Sequence, residues 1–371
     1  MRIAIDAREL TGRPTGVGRY LGELLRGWNE LPGAAAHDFV LCAPGPLELP
    51  PFPQLRLGQV TAPGHGPWWE QRILPRLVAE CRADVLFAPG YAGPVLCPVP
   101  MVVTVHDVSF AAHPEWFAWR EGFRRRVTTR WAARRARRVL TISDFSKREI
   151  VRHLGIDPTK IEVIYPGATP LADRAPDGAP ASSSAPLPAS SPPTVLYVGS
   201  IFSRRHVPEL IEACVRVATR HPDVTLEIVG DNRSRPPLDV AALVRASSAA
   251  GHIRVRDYVS DTELAGLYGR ATAFAFLSEY EGFGLTPLDA LAAGVPIVVL
   301  DTEVAREIYG PAAVYVPTPD PVQVSSALER ALFDPVERGR LREAAATVLE
   351  RYSWHECSHR TLQALLAAAA S

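Results

Sequence analysis

Short β-rich runs separated by amphipathic stretches fill most of this chain, and several of the runs are near-continuously apolar. Alternating apolar and polar residues mark a strand with one wet face. A continuous apolar run marks a strand covered on both faces, as in the parallel sheet of an α/β fold. The runs fall at Ile3–Asp6, Phe39–Cys42, Val85–Phe87, Met101–Val105, Val139–Ile142 and Ile161–Tyr165. They resume at Thr194–Val198, Thr225–Val229, His252–Val255, Ala273–Leu277, Pro296–Leu300 and Ala313–Val316. Helical periodicity lies between many of them, for example at Val207–Thr219 and Thr262–Tyr268. Strand–helix alternation of this kind predicts βαβ units and parallel sheets.

Residues 171–193 interrupt the rhythm. They hold six prolines among alanines and serines and almost no bulky apolar residue, so they cannot build a core and read as a linker or long surface loop. A chain of 371 residues has room for two domains. The expectation is therefore two doubly wound parallel-sheet domains, 1–170 and from 194 onward, facing an interdomain cleft. Ligands of such sheets bind beyond the carboxyl ends of the strands.

Charge and cysteine usage narrow the class. Lys+Arg and Asp+Glu are 40 each, which argues against a nucleic-acid partner. The balance is uneven: residues 1–170 carry 22 basic and 16 acidic side chains, a net of +6, and the remainder carries −6. Cys42, Cys81, Cys97, Cys214 and Cys357 form no Cys-x-x-Cys pair, so neither a disulfide framework nor a zinc site is expected. No secretory pattern opens the chain and no run of about 18 apolar residues occurs. A soluble protein in a reducing, cytoplasmic setting is the expectation.

Four stretches carry candidate chemistry. Ser278 to Ala290 follows an apolar strand and leads into an expected helix at Leu288–Ala293, with Pro287 suited to its first turn. Gly282 and Gly284 let backbone approach a ligand, and amides at a helix start suit a phosphate. Glu281 and Asp289 are eight apart and could touch opposite ends of one elongated polar ligand; an ordinary strand–helix turn is the alternative. Gly199 to His206 puts Arg204 and Arg205 beyond a strand end, a phosphate clamp or a solvated pair. His106-Asp107 closes the strand Met101–Val105, as chemistry or as a buried histidine satisfied by its neighbour. Gly16 and Gly18, in the loop after the first strand, are followed by Gly22. That spacing breaks the dinucleotide fingerprint and leaves a flexible loop able to approach a phosphate.

Taken in order, these residues resemble the retaining glycosyltransferases of family 4, which have the GT-B fold of two Rossmann-like domains. The resemblance runs through Gly16/Gly18, His106-Asp107, Ser143 to Lys147, Ile161 to Gly167, Tyr197-Val198-Gly199 with Arg204-Arg205-His206, Tyr258 to Leu267, Glu281 to Pro296, and Arg351-Tyr352-Ser353-Trp354. It implies a nucleotide-sugar-binding domain at 194–355 and a closing helix at 356–371 that crosses back to the first domain. It implies that Arg204 and Arg205 hold the donor diphosphate, with Arg205 where lysine is usual and His206 where asparagine is common. Glu281 matches the first glutamate of the family's Glu-x7-Glu motif, at the donor sugar. Gly282, Phe283, Gly284 and Leu285 match the backbone that touches the sugar and distal phosphate. Asp289 stands, one methylene shorter, where the second glutamate binds the ribose. His106 matches the active-site histidine.

The implied activity is hexosyl transfer from a nucleotide-sugar donor with no cofactor and no metal, and no two aspartates here are two residues apart to form an Asp-x-Asp site. GDP-mannose is the first candidate donor and a sugar or lipid-linked molecule the acceptor. A nucleotide-sugar epimerase, a sugar phosphorylase and a non-catalytic nucleotide-sugar-binding protein are the rivals. Trp116 to Val139 holds nine arginines, with Phe123, Val127 and Trp131 at four-residue spacing, and reads as an amphipathic basic helix. Its apolar stripe packs on the sheet, or it meets an anionic membrane surface at the inner face.

Overall fold

The computed structural model describes residues 1–12, 16–168 and 192–370. Apart from Pro192 and Pro193, the expected linker at 171–193 lies outside the described residues. Two compact units result: residues 1–167 with 352–371, and residues 168–351.

The strands are β1 (Arg2–Asp6), β2 (Asp38–Ala43), β3 (Arg56–Thr61), β4 (Val85–Ala88), β5 (Met101–Thr104), β6 (Arg138–Thr141) and β7 (Ile161–Val163) in the first unit. The second holds β8 (Thr194–Val198), β9 (Thr225–Val229), β10 (Ile253–Arg256), β11 (Ala273–Phe276), β12 (Ile297–Leu300) and β13 (Ala313–Val316). The principal helices are α1 (Gly16–Glu30), α2 (Leu74–Glu80), α3 (Trp119–Arg135), α4 (Asp144–Leu154), α5 (Val207–Arg220) and α6 (Val240–Ala246). They continue with α7 (Asp261–Arg270), α8 (Leu285–Ala292), α9 (Glu303–Tyr309), α10 (Pro321–Phe333), α11 (Pro335–Leu349) and α12 (Trp354–Ala370).

Each sheet is parallel throughout. The first runs β3-β2-β1-β4-β5-β6-β7 and the second β10-β9-β8-β11-β12-β13. The order reverses between β1 and β4 in one and between β8 and β11 in the other. At such a point successive crossovers leave to opposite faces, and the strand ends stand open for a ligand. The continuous apolar runs are the buried strands: β4, β5, β8, β11 and β12 are buried along their whole length.

Two sequence expectations change. β3, Arg-Leu-Gly-Gln-Val-Thr, is mostly exposed and pairs only with β2. An edge strand needs no apolar run, so its residues gave no signal. Gly16 and Gly18 lie in the first turn of α1 and not in a loop.

Local signals set the helix ends. Ser143 caps α4 by accepting from the Ser146 amide at 3.0 Å, and Gly155 closes it in the left-handed region at φ 60°. The chain re-enters the first unit at Tyr352, ahead of the expected 356. Tyr352 and Trp354 are buried members of that unit's packing: Tyr352 meets Tyr165 edge-on at 5.8 Å and Trp354 lies 6.2 Å from Tyr20. α12 then runs along α1, where Trp28 Nε1 donates to the Ser358 carbonyl at 2.9 Å.

Gly27 sits in that helix contact. A Cβ there lies 2.1 Å from Ser358 Oγ and 3.3 Å from the Trp354 carbonyl, whereas a Cβ on Gly22, one face away on α1, meets nothing within 4 Å. Gly27→Ala is expected to cost about 1–3 kcal/mol by overpacking. Gly22→Ala is expected to be neutral or to stabilise by up to about 1 kcal/mol through helix propensity. Denaturant titration of the two variants measures the difference; equal effects refute close packing of α12 on α1.

Candidate functional site

The second unit builds its site where the strand order reverses. β8 ends at Val198 and its loop carries Arg204 and Arg205; the neighbouring β11 ends at Phe276 and its loop carries Glu281 and the start of α8. The loops are joined through backbone, since the Glu279 amide donates to the Arg204 carbonyl at 3.0 Å. The two motifs, far apart in sequence, are therefore adjacent.

Arg205 is the centre of the arrangement. Its Nε and Nη2 donate to Glu281 Oε1 at 2.9 and 2.7 Å, and its Nη1 donates to the Ser200 carbonyl at 2.8 Å. Its guanidinium lies 4.8 Å from the Phe276 ring centre and 5.3 Å from that of Phe202. The pair is partly buried, with side-chain exposures of 13% for Arg205 and 19% for Glu281. Burial by itself lowers the guanidinium's pKa; the charge of Glu281, then the Tyr197 phenol, outweigh it and raise the pKa. Arg205 is a permanent cation here. Glu281 Oε1 also accepts from Ser278 Oγ at 2.8 Å, so the carboxylate is fixed from two sides.

Arg204 stacks on Phe202 at 4.3 Å and its Nε approaches the Tyr280 carbonyl at 3.4 Å. His206 adopts the left-handed region at φ 49° and pairs with two other carboxylates. Its Nε2 lies 2.8 Å from Glu279 and its Nδ1 3.3 Å from Glu209. Burial works to lower its pKa, and the two carboxylates reverse this and raise it. Glu279 is thus the partner of His206, and Glu281 is the carboxylate beside Arg205.

α8 starts at Leu285, three residues before expected, with Pro287 in its first turn. Gly284 precedes it at φ 93°, ψ 66°, a left-handed conformation in which a Cβ meets the Tyr309 hydroxyl at 2.0 Å. Gly282 and Phe283 are buried, and Gly284 and Leu285 are partly exposed. Asp289 lies one turn into α8 and is only 3% exposed. Ser278, Phe202, Tyr268 and Tyr309 also build the site; the first two lie inside the singled-out stretches but were given no role, and the two tyrosines lie outside every motif. The cue available for Phe202 was an aromatic ring two residues before an arginine.

In the first unit His106 follows β5 and is 7% exposed. Its Nε2 lies 2.7 Å from the Pro89 carbonyl, which can only accept, so Nε2 carries the proton. Burial lowers the imidazole's pKa against the opposing pull of that carbonyl and Asp107. His106 is therefore neutral, with Tyr20 edge-on at 5.0 Å. Asp107 does not satisfy it. Its Oδ2 accepts from the Tyr91 phenol at 2.5 Å and its Oδ1 from the Ser109 amide at 2.8 Å. Tyr91 itself is left-handed at φ 64°.

α3 departs from the packing alternative. Its inward face is small, with Gly122, Thr129, Ala132 and Ala133 buried. Trp119, Phe123, Val127 and Trp131 are exposed by 77, 61, 39 and 50%. The apolar stripe faces outward, and the positions buried against the rest of the unit carry small side chains.

Two family models match the chain: Glycosyltransferase Family 4 over residues 14–170 and Glycosyl transferases group 1 over residues 181–348. Glycogen synthase of Mycobacterium tuberculosis is 30% identical over 277 residues, which cover 73% of this chain and 64% of that protein. This chain therefore spans somewhat less than two thirds of that relative. O-antigen chain mannosyltransferase B of Escherichia coli is 28% identical over 273 residues, covering 71% of this chain and 69% of that protein. Among solved structures, Anabaena HepE in complex with UDP and glucose superposes with a TM-score of 0.75 at 16% identity, over 99% of this chain and 100% of that one. That likeness establishes the fold, GT-B, for the two parallel-sheet units. With both halves matched in order, the chain belongs to the group 1 glycosyltransferases, and its first domain is of the family 4 type.

Proposed function

We propose that this protein is a retaining, metal-independent hexosyltransferase. It takes its sugar from a nucleoside diphosphate donor, with GDP-mannose the first candidate, and delivers it to a glycan, lipid-linked or small-molecule acceptor. One observation carries the reading: a permanently charged, stacked arginine and a fixed carboxylate meet where the strand order reverses at β8 and β11. The mannosyltransferase relative supports the choice of donor sugar, and the order of the motifs supports retention.

Charge explains the roles. Departure of a nucleoside diphosphate leaves negative charge on the phosphate and positive charge at the anomeric carbon. Arg204, Arg205 and the amides at the start of α8 are fixed donors for the first. They supply the stabilisation that a metal gives elsewhere. Glu281 answers the second. The two halves neutralise each other, since Glu281 holds Arg205. The fork of Arg205 has further N–H groups, so it can meet a phosphate oxygen while one edge stays on the carboxylate. The leaving phosphate takes the acceptor proton, so no second carboxylate is required. His106, neutral and proton-bearing at Nε2, orients and does not serve as an acid.

On the acceptor side, α3 presents Trp119, Phe123, Val127 and Trp131 outward, and Arg120, Arg124, Arg126, Arg130 and Arg134 are exposed alongside. Aromatic rings settle at the lipid headgroup level while arginines reach anionic headgroups, each contributing roughly 1 kcal/mol near the surface. The proposed partner is an anionic membrane carrying a lipid-linked acceptor.

Calorimetry with GDP-, UDP-, ADP- and dTDP-sugars tests the function, followed by transfer assays with the donor that binds. Arg205→Ala is expected to weaken nucleoside diphosphate binding by about 1.5–3 kcal/mol, the scale of a charge-assisted hydrogen bond. Glu281→Gln keeps the acceptor oxygen but removes the charge that neutralises Arg205, so free diphosphate binds as tightly as to the parent or tighter, while kcat falls strongly. Parent-like kcat in Glu281→Gln, or parent-like binding in Arg205→Ala, removes the assignment. Donor binding without transfer to any acceptor favours the binding-protein alternative.

For α3, the parent should sediment with vesicles of phosphatidylglycerol and phosphatidylcholine and not with phosphatidylcholine alone. The doubly substituted Phe123→Ser, Trp131→Ser protein should stay in the supernatant with its transition temperature intact. A substitution that leaves vesicle binding unchanged, or that turns a parent dimer into a monomer, defeats the lipid assignment.

A further inference from the structure

The loop before α8 is held by a side chain outside every motif so far considered. Tyr309, the last residue of α9, is buried, and its hydroxyl lies 2.9 Å from the Gly284 carbonyl and 3.4 Å from the Phe283 carbonyl. From α7, the buried Tyr268 donates its hydroxyl to the Thr286 carbonyl at 3.1 Å. Two phenols from different helices thus hold one four-residue stretch, Tyr268 at Thr286 and Tyr309 by sharing its single proton between Gly284 and, more weakly, Phe283.

We propose that Tyr309 is the positioning residue of the diphosphate site: by fixing the Phe283 and Gly284 carbonyls it aims the Gly284 and Leu285 amides at the donor's distal phosphate. The proposal rests on the donor-binding role assigned above to the second unit. The peptide unit is planar and trans, so C=O and N–H of one unit point in opposite directions. A carbonyl tied to Tyr309 therefore sends the next residue's amide the other way. The Phe283 carbonyl shares its plane with the Gly284 N–H, and the Gly284 carbonyl shares its plane with the Leu285 N–H. These amides stand at the cap and first position of α8, where a helix offers its N–H groups no internal acceptor.

The loop needs this hold because Gly284 is its most pliable point. A glycine at φ 93° has several peptide orientations within reach. A tied carbonyl selects one of them. The close approach, with a Cβ on Gly284 meeting the phenol oxygen at 2.0 Å, means that glycine and tyrosine are required together.

Tyr268 provides an internal comparison. The Thr286 carbonyl shares its plane with Pro287, which has no N–H. Loss of the Tyr268 hydroxyl removes a buried hydrogen bond of the same kind from the same loop, but no phosphate donor is re-aimed.

The experiment compares Tyr309→Phe with Tyr268→Phe by calorimetry, using GDP and GMP, with UDP and UMP in parallel, and records transition temperatures. Tyr309→Phe is expected to raise the diphosphate Kd about tenfold, the loss of one well-aimed hydrogen bond, and to leave the monophosphate Kd within about twofold. Tyr268→Phe is expected to leave the ratio of the two constants as in the parent. Equal weakening of both nucleotides by Tyr309→Phe, or the same change of ratio in both variants, overturns the proposal and makes Tyr309 a stabilising residue only. An unchanged diphosphate Kd in Tyr309→Phe overturns it too. The donor reading is checked separately. If the parent binds diphosphate no better than monophosphate and Arg205→Ala changes neither constant, that reading fails and the role of Tyr309 falls with it. A parent that prefers diphosphate through Arg205 while Tyr309→Phe matches it defeats the Tyr309 proposal alone.

Discussion

The half-buried pair of Arg205 and Glu281 is the interaction around which the second unit's site is arranged. A guanidinium and a carboxylate taken partly out of water lose hydration, and only good geometry with further hydrogen bonds makes up for it. Here the geometry is complete. Glu281 receives two N–H groups and the Ser278 hydroxyl, and Arg205 places one Nη1 N–H on the Ser200 carbonyl, which leaves one N–H on each terminal nitrogen for a ligand. That satisfaction requires β8 and β11 to be neighbours, with both loops leaving from their carboxyl ends. Reversal of strand order is what makes them neighbours without a crossover in the way.

A second constraint follows from the first. A loop that must hold Glu281 in place and then start a helix at Leu285 has three residues in which to turn. Gly284 makes the turn by going left-handed, and Tyr309 closes the space a side chain would fill. Rigidity at this loop is therefore built by Tyr268 of α7 and Tyr309 of α9, neither of which is a motif residue. Sequence spacing marks the residues expected to meet the ligand, and tertiary packing chooses those that hold them.

The limits of sequence reading follow the same division. Twelve of the thirteen strands named here coincide with a β-rich run in the sequence, and those buried along their whole length are the most continuously apolar of them. β3 escaped because an edge strand with wet sides needs no such run. The placement of Arg205 and Glu281 at adjacent strand ends was legible from motif order. Tyr309 was not, because one tyrosine at a helix end has no pattern until the fold brings it to Gly284. The stripe on α3 misled one reading for a clear reason: periodicity shows that large apolar residues share a face, but not which face is inward. Gly122, Ala132 and Ala133 allow a close approach on the opposite face, and the larger residues were left outside.

The departures from the family's usual residues also have a physical basis. Arginine at 205, where lysine is common, lies against the Phe276 and Phe202 rings while its N–H groups serve Glu281 and Ser200. A planar, delocalised cation can stack and hydrogen-bond in its plane at once; an ammonium has no plane to stack and no two-point fork to offer the carboxylate. Phe202, Phe276 and Arg205 therefore form one unit. A change of Arg205 to lysine conserves charge and still discards the stacking and the two-point hold on Glu281. Asp289 is buried within the second turn of α8. At position 205 the residue type is matched to the rings and carboxylate around it as much as to the ligand it is proposed to meet.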